Sequence, residues 1–173
     1  MKLRGKKIVV LVADGFEDLE YWVTVMRLQE EGAEVISVGP NEGSFSGKNA
    51  LEATADVPAD RVDASELDGI VVPGGWAPDK LRRYEEITGL VRAVHERGKT
   101  VGIICHGGLV GISAGIVDGV RATGSTGIKD DLINAGATWV DKPAFREANF
   151  VWGRVVADIP DFCRELMAAL SEG

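Results

Sequence analysis

The chain has 173 residues, 45% of them hydrophobic and 27% charged, with 22 glycines and a formal charge of −8. That length suits one domain spanning 1–173, and a chain of this size buries about 70% of the surface its unfolded form exposes, so it needs no metal or disulfide staple to fold. The composition excludes bulk disorder and collagen-like or coiled-coil architecture. With 27 acidic against 19 basic residues it also argues against a nucleic-acid binder or a polybasic membrane patch.

Taken in chain order, 7–13 (KIVVLVA) predicts a strand buried on both faces. Leu19, Trp22, Val23 and Met26 follow at i, i+3, i+4 and i+7, one stripe of a helix that Gly32 ends. A strand over 33–38 leads into the turn-rich connection 40–48, and 50–62 reads as short strands or loop. The third buried strand, 67–72, runs into Pro73-Gly74-Gly75. Pro78 then opens a helix with Ile87, Leu90, Val91 and Val94 on its apolar face, stopped at Gly98. The fourth strand, 100–104, is followed at once by Cys105-His106-Gly107-Gly108 and a small-residue helix to Ala114. A weak strand near 121–124, a helix over 128–135, strands near 137–140 and 150–157, and a final helix carrying Ile159, Phe162, Cys163, Leu166, Met167 and Leu170 complete the pattern.

This alternation predicts an α/β three-layer sandwich, a mostly parallel sheet with helices on both faces. In such sheets ligands bind beyond the carboxyl ends of the strands. Three segments arrive there: Asp14 to Asp18, Pro73 to Trp76, and Cys105 to Gly108. A cysteine in a tight strand-to-helix turn, with helix N–H groups aimed at its sulfur, favours thiolate and has the form of a nucleophile elbow. His106 adjoins it as base or orienting partner, and the N–H groups of His106 and Gly75 suit an oxyanion hole. Glu17 is expected close to the sulfur, either protonated and donating to it or ionised and raising its pKa. Asp18 is expected to cap the first helix. Cys163 belongs to an apolar stripe and reads as core. Two cysteines make no disulfide framework, the apolar run after Lys7 is too short for a signal peptide, and a reducing, cytoplasmic setting is expected. No ligand spacing for a metal and no dinucleotide fingerprint are present, and no cofactor is expected.

At Phe16-Glu17-Asp18, Pro73-Gly74-Gly75, Ile104-Cys105-His106-Gly107 and Gly127 to Gly136 the chain resembles the PfpI family. These are intracellular cysteine peptidases and glyoxalase- or deglycase-like proteins in the superfamily of the parkinsonism-associated deglycase. The resemblance implies a flavodoxin-like or class I glutamine amidotransferase-like fold, a nucleophile at Cys105, the adjacent His106, and Glu17 touching the sulfur. It further implies that Asp79, following the Pro-Gly-Gly turn, orients the histidine across a subunit interface of a dimer or hexamer. Trp76 falls beside Gly75 and His106 on the substrate-binding rim, where relatives carry arginine or histidine. Gly108 stands in place of proline, Ser125 in place of tyrosine, and Gly153 in place of serine or threonine, so the rim differs where the centre persists. Three functions compete: a cofactor-independent enzyme that attacks dicarbonyls or glycated amines through a Cys105 hemithioacetal, a peptidase, and a non-catalytic redox sensor that oxidises Cys105 to sulfinate.

Overall fold

Burial of the apolar runs fixes the centre of the sheet. The computed structural model describes all residues, 1–173. Strand β1 (Lys7–Leu11) pairs in parallel with β2 (Glu34–Gly39) on one side and with β6 (Gly69–Val72) on the other. Between them lie α1 (Asp18–Glu30), the hairpin β3 (Gly43–Ser46) and β4 (Glu52–Ala55), and the short β5 (Val57–Pro58). After β6 come α2 (Ala77–Leu81), α3 (Glu85–Glu96), β7 (Thr100–Ile104) and α4 (Gly108–Ala114). The chain continues through β8 (Arg121–Ala122), α5 (Lys129–Asn134), β9 (Thr138–Trp139), β10 (Ala144–Glu147), β11 (Phe150–Gly153) and α6 (Ile159–Glu172).

Seven strands form the sheet in the order β10-β11-β7-β6-β1-β2-β5, all parallel neighbours except β10 against β11. Helices α1 and α6 cover one face, while α3 and α4 pack on the other with α2 and α5 beside α4. The six apolar residues of α6 named from its sequence are all buried, each stabilising by about 1.5–3 kcal/mol relative to exposure. The expected α/β sandwich is the fold observed.

Several local expectations differ. The helix expected from Pro78 to Gly98 is two helices, broken at Arg82–Tyr84. Leu81 and Ile87 are both fully buried, yet six residues apart they cannot share one stripe of a continuous helix, and the turn resets the phase. The 40–48 connection contains β3, and β10 lies where no strand was expected. β10 is a half-exposed edge strand without an apolar run, and Arg146 reaches Glu165 and Glu172 from it, charges that protect a sheet edge. The strand expected over 150–157 ends at Gly153, where Arg154 bonds Asp141 and Asp158 and the chain turns away.

The stripe Leu19, Trp22, Val23 and Met26 is not the buried face of α1: Trp22 and Val23 only graze the core, half-buried. The buried side of α1 is Asp18, Glu20, Tyr21, Thr24, Val25 and Leu28, and Leu19 and Met26 are 49% and 59% exposed. Polar residues point inward because the helix begins at the site. Asp18 is not the cap of α1: its carboxylate accepts the N–H groups of Asn49 and Leu51 at 2.9 and 2.8 Å and clamps the β3–β4 turn to the helix. Asp18→Ala leaves both amides without their acceptor and is expected to lower stability by about 2 kcal/mol. Thermal unfolding checks the loss, and faster hydrogen exchange at Asn49 and Leu51 localises it.

Candidate active site

β7 ends in a forced turn. Cys105 has φ +59, a left-handed backbone that strains any non-glycine residue and is tolerated where surrounding structure holds it. The 3-10 turn Cys105–Gly107 then leads into α4. A Cβ on Gly107 would lie 2.4 Å from the Val72 carbonyl oxygen, so only glycine lets this turn pack against β6. Opposite, Gly75 has φ +80, and a Cβ there would stand 2.4 Å from the Gly15 oxygen and 2.5 Å from the Glu17 nitrogen. The main chain after β6 thereby lies directly against the main chain after β1: Glu17 N–H donates to the Gly74 oxygen at 3.1 Å and Trp76 N–H to the Gly15 oxygen at 2.7 Å.

Cys105, His106, Gly75, Trp76 and Glu17 line one cleft of about 380 Å³, together with Lys48 and Val155–Ala157. The structure thus brings five of the six expected site residues together. Asp79 is not among them. It sits in the first turn of α2, exposed, with Oδ2 bonded to Arg83 at 2.6 Å. His106 Nδ1 lies 3.3 Å from the Cys105 sulfur, so the adjacent side chains do meet. No carboxylate of the chain pairs with His106. Burial first, then the charge of Lys48, lowers the His106 pKa and keeps the imidazole neutral near pH 7.

The carboxyl group that acts on the sulfur belongs to Glu20, and the expected contact of Glu17 with the sulfur is replaced by a structural one. Glu17 Oε2 accepts the N–H groups of Leu19 and Glu20, both at 2.9 Å, and so caps α1. Glu20, one turn further on, is 0% exposed. Its Oε2 accepts the Gly74 N–H at 2.6 Å, while Oε1 is buried with no hydrogen-bond partner. Burial is the main reason its pKa is raised to about 7, with the Glu17 charge adding and the Gly74 N–H opposing. Burial also pushes the Cys105 thiol up to about 12, aided by the charge of Glu20 and opposed by the N–H groups of His106 and Gly75. A thiol favoured as thiolate by the helix start is therefore not the resting state.

Glu20 was missed because, at three residues from Glu17, it read as part of the helix rather than the strand end. The i, i+3 spacing from the cap, which aims it back over the first turn toward the sheet edge, was the available signal. Lys48 was missed because a turn-rich connection gives no clue to its direction. Ser125 Oγ accepts the Gly127 N–H at 3.3 Å and its own N–H donates to the Cys105 oxygen at 3.3 Å, so it braces the elbow from behind. A Cβ on Gly153 would lie 2.8 Å from Phe162, which makes that position one of core packing. Nowhere do three or more His, Cys, Asp or Glu side chains converge in a metal-binding group.

Known proteins share both the sequence pattern and the fold of this chain. The DJ-1/PfpI family pattern matches residues 6–169, and the chain belongs to that family. It is 40% identical over 164 residues to "Deglycase PH1704" of Pyrococcus horikoshii, covering 95% of this chain and 99% of that protein. It is 37% identical to "Putative cysteine protease YraA" of Bacillus subtilis, covering 96% and 99%, and 34% identical to "Protein/nucleic acid deglycase 2" of Escherichia coli, covering 96% and 98%. Among solved structures, a two-domain protein of Anabaena variabilis with DJ-1/ThiJ/PfpI-like and ferritin-like domains superposes with a TM-score of 0.94 at 34% identity, over 95% of this chain and 48% of that one. Drosophila melanogaster DJ-1beta shares the fold, with a TM-score of 0.90 at 22% identity over 98% and 92%.

The Glu20 pKa yields a stability test. A carboxyl that titrates at 4.5 unfolded and at about 7 folded makes the native state hold a proton the unfolded chain has released. Stability therefore falls as pH rises through that window, by about 3 kcal/mol from this group, and Glu20→Gln is expected to flatten the fall in urea titrations at pH 4.5, 6 and 7.5. At pH 8 the same variant removes a negative charge from beside the thiol. Iodoacetamide labelling of Cys105, followed by mass spectrometry, is expected to accelerate about tenfold for each pKa unit by which the thiol drops.

Proposed function

We propose that this protein is a cofactor-independent cysteine enzyme acting on reactive dicarbonyls or their amine adducts, with Cys105 as nucleophile and Glu20 as the proton carrier. The observation that carries this reading is the fully buried Glu20 carboxyl, which meets Gly74 on the side where Cys105 does and keeps Oε1 without a hydrogen-bond partner; burial raises both its pKa and that of the thiol. Carbonyl addition needs that pairing. As sulfur attacks the aldehyde carbon of methylglyoxal, Glu20 takes the thiol proton and passes it to the new alkoxide, giving a hemithioacetal and leaving Glu20 ionised. The Gly75 and His106 N–H groups stabilise the oxyanion. Glu20 then moves a proton from the former aldehyde carbon to the neighbouring ketone carbon through an enediol, leaving a thioester of lactate. Water hydrolyses it and restores the thiol, so dicarbonyl plus water becomes hydroxy acid. A hemiaminal of an amine enters the same route, the amine leaving as sulfur bonds to carbon. The names of the relatives, five of them deglycases at high coverage, agree with this chemistry.

The second reading is peptide hydrolysis by Cys105 and His106, supported by the name of one relative. It needs a carboxylate to orient His106, and Asp79 would supply it only from another copy of the chain. An oligomer has a surface to form on: Leu19 and Met26, exposed on α1, with Trp22 and Val23 half-buried beside them. We propose that a second copy packs on this stripe in a dimer or larger assembly, next to the site that α1 helps build. Such apolar patches usually mark interaction surfaces, and Met26→Glu is expected to halve the mass seen by light scattering. Cys105 and Cys163 are free thiols, consistent with a reducing, cytoplasmic location; no helix is long and apolar enough to cross a membrane.

Lactate formation from methylglyoxal, with chiral detection, tests the main reading. Cys105→Ser and Glu20→Gln are both expected to lose turnover by at least about 100-fold, Glu17→Gln far less. The signature is the split in Glu20→Gln, where labelling of Cys105 speeds up while turnover disappears. Full turnover in Glu20→Gln, or cleavage of peptides but not dicarbonyls by the wild type, overturns it.

A further inference from the structure

One charged side chain of the cleft has no task in the chemistry above. Lys48 lies in the β3–β4 turn, where its N–H donates to the Phe16 oxygen at 2.9 Å and Asp18 holds the two amides beyond it. Its backbone is therefore fixed to the loop that carries Glu17. Its ammonium group stands 5.9 Å from the centre of the Trp76 ring and joins none of the ion pairs of the chain. It is the one cationic side chain lining the cleft, since His106 is neutral and Arg154, behind Val155, is committed to Asp141 and Asp158.

Glu17 lines the same cleft, but its carboxylate is held by the first N–H groups of α1 and makes no ion pair with Lys48, and Glu20 is fully buried. A protein of formal charge −8 repels anions over most of its surface, so an unpaired ammonium at the mouth of a reactive cleft sets which molecules are drawn in. The walls beside it are apolar: the Trp76 face, 64% exposed, and Val155–Ala157.

We propose that Lys48 makes the Cys105 cleft selective for carbonyl compounds that carry a carboxylate, the ammonium binding that anion while Trp76 and Val155–Ala157 flank the carbons between it and the reacting aldehyde. This rests on the carbonyl reading of Cys105 for the substrate class, but the anion preference has a readout that needs no turnover. Iodoacetate and iodoacetamide both alkylate a thiolate with loss of iodide and differ mainly in the charge of the group delivered. Their rate ratio at Cys105 cancels any change in thiol pKa, because both report the same thiolate.

Lys48→Met is expected to lower the iodoacetate-to-iodoacetamide ratio about threefold at low salt, as one exposed charge pair is worth. Lys48→Arg should keep the ratio, and 0.5 M salt should shrink the wild-type ratio, because the Debye length falls from about 30 Å at 0.01 M to less than about 10 Å above 0.1 M. A merely structural Lys48 would change both rates together and leave the ratio where it was. An equal ratio in wild type and Lys48→Met overturns the proposal. The substrate arm compares 4,5-dioxopentanoate, a 2-oxoaldehyde with a terminal carboxylate, with its neutral methyl ester. Wild type is expected to favour the anion in kcat/KM and Lys48→Met to lose that preference. If neither dicarbonyl turns over while the alkylation ratio still depends on Lys48, the catalytic reading fails and the anion site stands. If both turn over with the same preference in wild type and variant, the substrate class is overturned.

Discussion

The structure turns on a crossing of two loops. Gly75 lies so close to Gly15 and Glu17 that no side chain fits between them, and this contact sets the distance between the segments that leave β1 and β6. Cys105 enters from β7 in a left-handed conformation because Gly107 must pass under the Val72 carbonyl. Neither arrangement holds alone. A strained cysteine persists only when its neighbours determine its position, and here those neighbours are the loops that carry the Gly75 N–H and the Glu20 carboxyl. The site is thus a consequence of how closely three strand ends are packed, and its residues are spread over the chain for that reason.

Three carboxylates within four residues show how placement divides labour among similar groups. Glu17 sits where the helix begins and satisfies its first amides. Asp18 points sideways and holds the β3–β4 turn. Glu20 points back into the sheet edge, loses its water and acquires a pKa near 7. All three are buried, and hydrogen bonding separates them: Glu17 and Asp18 each accept two backbone N–H groups, while Glu20 accepts one and leaves Oε1 without a partner. The charge on Glu17 contributes to the rise at Glu20, so the cap is also part of the electrostatic setting of the site.

The buried parallel strands, the elbow at Cys105 and the glycine pair were legible because each has a local signature: a continuous apolar run, a cysteine followed by glycines, a turn dipeptide. What the sequence hid depends on direction. Periodicity correctly showed that α1 has an apolar stripe, but periodicity is blind to which side of the helix meets the sheet. The helix is rotated so that Glu20 and Tyr21 face inward and Leu19 and Met26 face out. The same blindness assigned to Glu17 the influence on the sulfur that Glu20 exerts, since both lie just beyond β1 and only the pitch of the first turn separates them. β10 was hidden for a different reason, because an edge strand stabilised by Arg146 and its two glutamates has no apolar run to reveal it.

On the carbonyl reading proposed above, the resting state of the site suits addition to aldehydes better than cleavage of amides. A peptidase of this type needs an imidazole that is readily protonated, so that it can deliver a proton to the departing amine. Burial and Lys48 push His106 the other way, and no carboxylate of the same chain offsets them. An aldehyde makes no such demand, since its addition product keeps every atom of both reactants. It requires only that one proton leave sulfur and another reach oxygen, and then that a proton move between adjacent carbons. A single buried carboxyl, half protonated near neutrality and beside the sulfur, can serve both transfers in turn. On that reading, the feature that weakens the thiol as a free nucleophile, its burial with Glu20, is also the feature that couples its deprotonation to a bound carbonyl and keeps it mostly protonated when the cleft is empty.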